Sequence, residues 1–390
     1  MNTANKLKKL ISTKKAKICV IGLGYVGLPI AVEFAKKGFF VYGYDTKKER
    51  VQSLKHKKSY IDDIPHQDIS LILKKNFSPT SEANVLNESD IIIICVPTPL
   101  RKRKFPNISY IIKAAKDIKK YLREGQLIVL ESTTYPGTTR DVILPILEKS
   151  KLKESVDFFL SFSPERIDPG NKAYPFRKIP KIVGGIAEID GKLTELLYSK
   201  VVNEVHRVST CESAEVVKIL ENSFRIVNIG LINEFAMLCD KLKIDVWEVV
   251  EAAKTKPFGF TPFYPGPGVG GHCIPADPLY LSWKARKVGF KTEMIDLSAK
   301  TNLYMPHYVV HRIEKLLVSN ISKSKILVLG VTYKKDVKDL RESPALDIIE
   351  LLKTKGVKVS YSDPYIPYIE LGKIKLKGSA ITAKKLKIAI

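Results

Sequence analysis

Residues 17–38 of the chain read KICVIGLGYVGLPIAVEFAKKG and predict a strand, a glycine-rich turn and a helix in direct succession. Gly22, Gly24 and Gly27 have the spacing of a dinucleotide-binding fingerprint. The first glycine permits a tight turn, the second lets the backbone approach a pyrophosphate, and the third allows close packing of helix on strand. The stretch therefore predicts an N-terminal Rossmann-type α/β domain.

An acidic residue follows the fingerprint at the distance expected for a ribose ligand. A second apolar run, residues 39–44, ends in Asp45. Its carboxylate can accept hydrogen bonds from both ribose hydroxyls and would repel a 2′-phosphate. We therefore expect NAD as the cofactor, although Lys47 and Lys48 just beyond leave NADP open.

Strand-like runs alternate with helical ones up to about residue 185, which predicts a parallel, doubly wound sheet. Ligands of such a sheet bind beyond the carboxyl ends of its strands. We call the edge of the sheet formed by these carboxyl ends the rim. Three motifs directly follow apolar runs and are expected on the rim: Pro97-Thr98-Pro99, Glu131-Ser132-Thr133-Thr134 and Ser163-Pro164-Glu165-Arg166. The later strands are predicted at Ile91 to Val96, Leu127 to Leu130, Phe158 to Phe162 and Lys181 to Val183.

Residues 213–254 are predicted to be helical, because apolar residues between positions 217 and 238 recur at helical spacing. Lys218, Asn222 and Arg225 are spaced i, i+4 and i+7 and share one stripe. The preceding loops require polar partners, so we interpret this stripe as functional. The broad apolar surface of so long a helix predicts burial in a partner subunit.

A single cysteine stands in the segment Gly270-Gly271-His272-Cys273-Ile274-Pro275-Ala276-Asp277. Glycines leave a thiol open to a ligand, and a carboxylate four residues later can help activate water or steer a base. A thiol combined with a nicotinamide site indicates oxidation through a thiohemiacetal and a thioester. Hydroxyacid and hydroxyacyl dehydrogenases transfer one hydride and need no thiol, so Cys273 argues against that alternative.

Composition excludes several other classes of protein. The 390 residues suffice for two or three domains, with 45% hydrophobic and 27% charged residues, as in globular proteins. Five cysteines show no paired or metal-type spacing, and no signal peptide or membrane span is visible. We expect a cytoplasmic protein without a metal. The net charge of +24 comes from dispersed lysines, so we expect neither nucleic acid nor membrane as a partner. The densest basic run, Arg101-Lys102-Arg103-Lys104, is expected in a loop.

A smaller α/β unit is predicted near the C-terminal end, with strands at 326–330 and 357–361 and a helix at 344–355. The final residues, Lys387-Ile388-Ala389-Ile390, have the pattern of an incoming strand. We therefore expect this last unit to be truncated.

Together these motifs resemble the UDP-glucose/GDP-mannose dehydrogenase family. The resemblance extends from about residue 17 to residue 364 and includes the motif Asp339-Leu340-Arg341-Glu342-Ser343-Pro344. The resemblance implies oxidation of the C6 hydroxyl of a UDP-sugar to a carboxylate, with two NAD. Residues 163–171 and 262–273 look closer to the UDP-N-acetylglucosamine branch. UDP-N-acetylmannosamine and UDP-glucose remain alternatives, and a non-catalytic nucleotide-binding remnant is the rival from another class.

The resemblance also implies an organisation and a set of site residues. We expect a NAD-binding Rossmann domain at 1–205, a central helical domain with the cysteine loop and a homodimer interface at 206–315, and an incomplete Rossmann-like UDP-sugar domain at 316–390. The expected catalytic residues are Cys273, Lys218, Asp277, Asn222, Glu165 and Thr134. The expected cofactor ligands are Gly22, Gly24, Gly27, Asp45, Thr98, Thr134 and Arg341. The expected substrate ligands are Glu165, Arg166, Lys218, Asn222, Arg225, Tyr264, Gly268, Gly271 and Lys334.

Overall fold

The computed structural model describes residues 2–61, 63–99, 106–168, 171, 173–271, 273–317 and 320–381. The chain forms two compact units, one up to Leu220 and one from Glu221 onward. The basic run at 101–104 and the strand expected at 387–390 lie outside the described residues. No helix in the described ranges is both long and apolar enough to cross a membrane.

Eight strands of the first unit form one sheet. They are β1 (Lys17–Ile21), β2 (Phe40–Tyr44), β3 (Phe77–Thr80), β4 (Ile91–Ile94), β5 (Leu127–Leu130), β6 (Phe159–Phe162), β7 (Lys181–Gly185) and β8 (Val205–Arg207). Their order is β3-β2-β1-β4-β5-β6-β7-β8, and the first six are parallel, as in a doubly wound dinucleotide-binding fold. The predicted Rossmann-type sheet is confirmed.

Strand β7 departs from the predicted parallel order. It pairs antiparallel with β6, with Ser161 opposite Gly185 and Phe162 opposite Gly184. A parallel neighbour would need a long crossover, usually a helix. In the described part of the connection between these strands the only helical segment is a short 3₁₀ turn, Phe176–Lys178. The chain therefore returns along the sheet in the opposite direction.

Helices cover both faces of this sheet, and each side has its own apolar core. The helices are α1 (Thr3–Ser12), α2 (Gly27–Lys36), α3 (Lys48–Lys55), α4 (His66–Leu73), α5 (Val85–Glu88), α6 (Ser109–Tyr121), α7 (Leu144–Leu147), α8 (Glu188–Tyr198) and the start of α9 (Cys211–Leu242). Helix α1 was not expected, because the segment is polar and basic. Its buried Leu7 and Ile11 join the core that contains Leu197 of α8.

The second unit contains the rest of α9 and four further helices: α10 (Val246–Lys254), α11 (Asp277–Lys287), α12 (Glu293–Leu316) and α13 (Pro344–Thr354). Strands β9 (Lys325–Leu329) and β10 (Lys358–Ser362) are parallel, as the sequence predicts. Strands β11 (Tyr368–Leu371) and β12 (Ile374–Lys377) form an antiparallel hairpin that was not predicted. Gly372 has a φ of 55° in the connecting turn, a conformation that glycine adopts without strain.

Candidate functional site

The glycine turn between β1 and α2 has room for backbone only. Gly22 has a φ of 90°, and a Cβ there would lie 2.6 Å from the carbonyl oxygen of Cys95. A Cβ on Gly27 would lie 1.9 Å from the Gly22 carbonyl oxygen. At Gly24 the nearest atom would be Nη1 of Arg50, at 3.9 Å. The turn thus leaves a side-chain-free cradle at the N-terminus of α2, which fits the diphosphate of NAD.

Asp45 lies directly beside this cradle and is 5% exposed. Its Oδ2 accepts hydrogen bonds from the Leu23 amide at 2.8 Å and from Nη1 of Arg50 at 3.0 Å, while Oδ1 accepts from the Lys47 amide at 2.8 Å. These contacts fix the carboxylate at the end of β2, where an adenosine ribose is bound in this type of fold. Arg50 was missed by sequence analysis, since only its place five residues after Asp45 marks it.

Thr98 and Thr134 follow β4 and β5 and are both buried. The hydroxyls of Thr134 and Thr138 are 2.6 Å apart. The loop that carries Thr134 is held by Glu215 of α9. The Glu215 carboxylate accepts from the amides of Gly137 and Thr139 at 2.5 and 2.9 Å, and from the Thr139 hydroxyl at 2.7 Å. Glu215 thereby ties the rim of the sheet to the helix that carries Lys218.

A buried ion cluster lies beneath this rim. Nζ of Lys181, at the start of β7, is 2.9 Å from Glu131 Oε2 and 3.3 Å from Glu165 Oε2. It also donates to the Pro164 carbonyl at 3.3 Å, and it lies 5.1 Å from the ring centroid of Tyr198. The Tyr198 hydroxyl donates to the other oxygen of Glu131. One cation thus serves two carboxylates, and sequence analysis gave no role to Lys181. Its signal was a lysine inside an apolar, strand-like run.

Glu165 is ionised in this setting. Burial raises the pKa of its carboxyl, but the Lys181 ammonium, a hydrogen bond with Glu131, the Ile167 amide and the Lys218 ammonium together bring it below the ordinary value. Burial dominates at Glu131 and raises its pKa to about 7, although Lys181 opposes this. Burial lowers the pKa of Lys181, and the two carboxylates raise it by more, so the ammonium keeps its proton.

The remaining predicted residues of the first unit flank this cluster. Arg166 donates from its amide to Glu165 Oε1 at 2.6 Å and from Nη1 to the Pro180 carbonyl at 2.7 Å. Lys218 is partly buried on α9. Of the three motifs expected on the rim, those of Glu131 and Glu165 are joined through Lys181.

The second unit carries the thiol. Cys273 is exposed, and its carbonyl accepts from the Asp277 amide at 2.8 Å, which starts helix α11. The Asp277 side chain is 3% exposed, and its Oδ2 accepts from Nδ2 of Asn222 at 2.6 Å. A direct hydrogen bond therefore joins Asn222 and Asp277, two residues that were each expected to be catalytic. His272, in the quoted motif, lies outside the described residues.

The glycine loop before the thiol packs against the segment that precedes α13. Gly268 and Gly271 have φ values of 131° and 87°. A Cβ on Gly271 would lie 2.7 Å from the Tyr333 ring, and the Gly271 amide donates to the Arg341 carbonyl at 3.0 Å. Lys334, next to Tyr333, is therefore held near this loop. The Arg341 guanidinium forms a bidentate salt bridge with the Asp339 carboxylate, with N–O distances of 2.6 to 3.0 Å.

Two predicted substrate ligands lie on the surface of this unit. Tyr264 donates its hydroxyl to Glu251 Oε1 at 2.7 Å and stacks on Trp247, with ring centroids 6.0 Å apart. Arg225 is exposed on α9. The structure therefore gives Tyr264 a partner on α10, and the roles of both residues toward a substrate stay predictions.

Known proteins share this architecture. The NAD-binding, central and UDP-binding domains of the UDP-glucose/GDP-mannose dehydrogenase family match residues 16–202, 212–304 and 327–389. The chain is 37% identical to the UDP-N-acetyl-D-glucosamine 6-dehydrogenase of Pseudomonas aeruginosa, over 90% of the chain and 84% of that protein. It is 35% identical to the UDP-N-acetyl-D-mannosamine dehydrogenase of Methanocaldococcus jannaschii, over 90% and 79%. The solved UDP-D-ManNAc dehydrogenase of Pyrococcus horikoshii superimposes with a TM-score of 0.85 at 33% identity, over 95% and 86%.

The buried Glu215 predicts a pH-dependent stability. Burial raises its pKa to about 7, against roughly 4.3 in an unfolded chain. Between these values the folded protein binds more protons than the unfolded chain, so the free energy of unfolding contributed by Glu215 falls as the pH rises through this window. Glu215→Gln cannot titrate. The free energy of unfolding of Glu215→Gln minus that of the unmodified protein should therefore increase by roughly 3 kcal/mol between about pH 5 and about pH 8.

Urea unfolding of both proteins across this pH range measures the difference. Glu234→Gln, at an exposed position of the same helix, is the control and should show no such trend. A constant difference between Glu215→Gln and the unmodified protein would contradict the prediction.

Proposed function

This chain belongs to the UDP-glucose/GDP-mannose dehydrogenase family, and we propose that it oxidises the C6 hydroxyl of UDP-N-acetylglucosamine to a carboxylate. It is an NAD-dependent dehydrogenase of UDP-sugars. The observation that carries the four-electron reaction is Cys273, an exposed thiol in a glycine-rich turn whose helix begins with buried Asp277. Oxidation of an alcohol to an aldehyde needs no thiol, whereas oxidation to an acid through a thioester does.

The overall reaction is the primary alcohol plus two NAD⁺ plus water, giving the carboxylate, two NADH and three protons. NAD, when bound, accepts one hydride from C6 in each of the two oxidations. After the first, the Cys273 sulfur adds to the C6 aldehyde and forms a thiohemiacetal. After the second, C6 is a thioester. Water adds to it, the carbon–sulfur bond breaks, and the thiolate and the acid are released.

We assign the protein's polar groups to the protons and the oxyanion of these steps. Lys218 and Asp277 manage the proton of the C6 hydroxyl and stabilise the oxyanion, and Asn222 is a neutral donor. The hydrogen bond from Asn222 to Asp277 supports their joint action. Glu165 and Thr134 position the reacting hydroxyl or water. Ionised Glu165 is suited to accept a hydrogen bond from that hydroxyl or water, since burial removes the bulk water that would compete for it.

The choice of sugar rests on two stretches and on similarity. Residues 163–171 and 262–273 have the pattern of the N-acetylglucosamine branch, and similar proteins from Pseudomonas aeruginosa and Salmonella typhi carry that name. A pocket that hydrogen-bonds an acetamido group loses binding when those polar groups are left unpaired, which disfavours UDP-glucose. UDP-N-acetylmannosamine is the second candidate, because the Pyrococcus horikoshii structure and several archaeal relatives carry its name.

We further propose that the protein is a homodimer in the cytoplasm. Leu231, Phe235 and Leu238 form an apolar stripe on α9 and are 53%, 46% and 50% exposed. An exposed stripe of this kind on a long helix is typical of a subunit interface. The proposed thiol chemistry requires a reduced cysteine, which favours the cytoplasm.

A nucleotide-sugar panel tests the proposed reaction. Purified protein is incubated with NAD and with UDP-N-acetylglucosamine, UDP-N-acetylmannosamine or UDP-glucose, and NADH and sugar acid are measured together. We expect two NADH per sugar, with the highest kcat/KM for UDP-N-acetylglucosamine. A higher value for either other sugar would overturn the substrate but leave the reaction. One NADH per sugar would overturn the thioester route, and none would favour a non-catalytic protein.

Replacement of the thiol should separate binding from turnover. Cys273→Ser should abolish acid formation while leaving NAD affinity unchanged, because a serine hydroxyl is a far weaker nucleophile at neutral pH. Stopped assays for the acid and calorimetry with NAD measure the two effects. Cys239→Ala, which removes a buried thiol of α9, is the control and should retain turnover. Full two-NADH turnover by Cys273→Ser would remove Cys273 from the reaction.

If the protein is a dimer, one substitution in the apolar stripe should lower its molar mass in solution. Leu231→Glu places a charge in the apolar stripe and should convert the dimer into a monomer, measured by light scattering coupled to size exclusion. Leu71→Glu, at a leucine of α4 that is 50% exposed, is the matched control and should leave the mass unchanged. An unmodified protein that is monomeric at all concentrations would contradict the proposal.

A further inference from the structure

The Glu165 carboxylate is bound by donors on both of its oxygens. Oε1 accepts from the amides of Arg166 and Ile167, at 2.6 and 2.5 Å. Oε2 accepts from Nζ of Lys181 at 3.3 Å. The amides follow Glu165 in its own loop, whereas Lys181 begins the antiparallel strand β7. The lysine is therefore the one of these three donors that carries a charge and comes from another element.

Lys181 is itself tightly held. Its side chain is 3% exposed, so it is removed from solvent. Glu131, fully buried, binds the ammonium at 2.9 Å, and Tyr198 donates to the same carboxyl. A lysine in such surroundings can be retained only with its charge compensated. Both of the carboxylates that compensate it come from rim motifs.

We propose that Lys181 is a positioning residue whose ammonium fixes the Glu165 carboxylate as an ionised acceptor, with Glu131 anchoring the ammonium. The inference rests on the proposed function, in which Glu165 positions the hydroxyl or water that reacts. It assigns the first residue of β7 to the same reaction. It also explains why strand β7, which lies between β6 and β8, begins with a buried charge.

The charge on Glu165 depends on every group that faces it. These groups are Cys95 after β4, Glu131 after β5, Lys181 on β7, Tyr198 at the end of α8, Lys218 on α9 and the adjacent Arg166. Lys181, a hydrogen bond with Glu131 and Lys218 lower its pKa, and of the two cations among them only Lys181 is fully buried. An opposite charge is least screened when it is buried, so Lys181 should contribute most.

Removal of this cation has a signed consequence for pH dependence. Without Lys181, burial is opposed by fewer charges and the pKa of Glu165 rises. Below that pKa the carboxyl is protonated and can neither accept a proton nor orient water as a carboxylate. As the pH is lowered, the variant without Lys181 should therefore lose turnover at a higher pH than the unmodified protein does. Above the new pKa of Glu165 its turnover should recover.

The test compares kcat against pH for the unmodified protein and for Lys181→Met, an apolar side chain of similar length, with UDP-N-acetylglucosamine and NAD. We expect the acid limb of kcat to move upward by about one pH unit or more. At a fixed pH on this limb, a movement of one pH unit lowers kcat about tenfold, while KM for both substrates changes little. A purely structural role would instead lower kcat by the same factor at every pH.

Further variants keep the test decisive. Lys181→Arg retains the cation, so its acid limb should move upward by less than about half a pH unit. Glu131→Gln keeps an amide that can accept from the Lys181 ammonium and donate to Glu165, so its acid limb should stay in place, unlike that of Lys181→Met. Lys192→Met, at an exposed lysine of α8, is the matched control and should behave as the unmodified protein. Thermal unfolding and NAD binding check that each variant is folded.

Outcomes separate the inference from the proposed function. An unmodified protein that oxidises no UDP-sugar would overturn the proposed function and the inference with it. Normal activity in the unmodified protein, with an unmoved acid limb in folded Lys181→Met, would overturn the inference alone. If Lys181→Met does not fold, an acid limb that moves upward by more than about half a pH unit in folded Lys181→Arg, which keeps the cation, would overturn the inference in the same way.

Discussion

A buried ammonium group connects strand β7 of the large sheet to the loops that follow β5 and β6. Lys181 of β7 binds Glu131, which follows β5, and Glu165, which follows β6. Removing one partner of a buried ion pair typically costs about 3–5 kcal/mol, because the remaining charge is left uncompensated. The cluster therefore constrains where β7 can lie, although β7 runs antiparallel to β6 and the described part of their connection contains no α-helix. The two rim motifs are held in place by the same contacts.

Each compact unit organises its own candidate residues by a different kind of contact. In the first, glycine backbone and buried Asp45 form a cradle that fits NAD, and the buried carboxylates Glu131 and Glu165 bind one lysine. In the second, Asn222 fixes Asp277 at the start of α11, one turn after Cys273. Helix α9 contains both Lys218 and Asn222, so one continuous helix carries candidate residues of both units.

The apolar residues of α9 have a helical period, yet they are not all core residues. Ile219 and Ile226 are buried, whereas Leu220, Phe224 and Leu231 are more than half exposed. Periodicity identifies the faces of a helix, but it does not distinguish a face packed within the chain from one left for another molecule. The exposed face is what motivates the proposed dimer.

The sequence by itself determined the features that depend on neighbours along the chain. The glycine spacing, the position of Asp45, the apolar strands, and the Asn222 and Asp277 motifs were identified because local geometry requires those residue types. Tertiary structure decided the antiparallel direction of β7, the packing of α1, the Asp45–Arg50 pair, and the roles of Glu215 and Lys181. Lys181 and Glu131 are 50 residues apart, and Glu215 is 76 residues from Thr139. No local pattern encodes such pairings, because burial of a charge acquires meaning only when folding brings its partner within hydrogen-bonding distance.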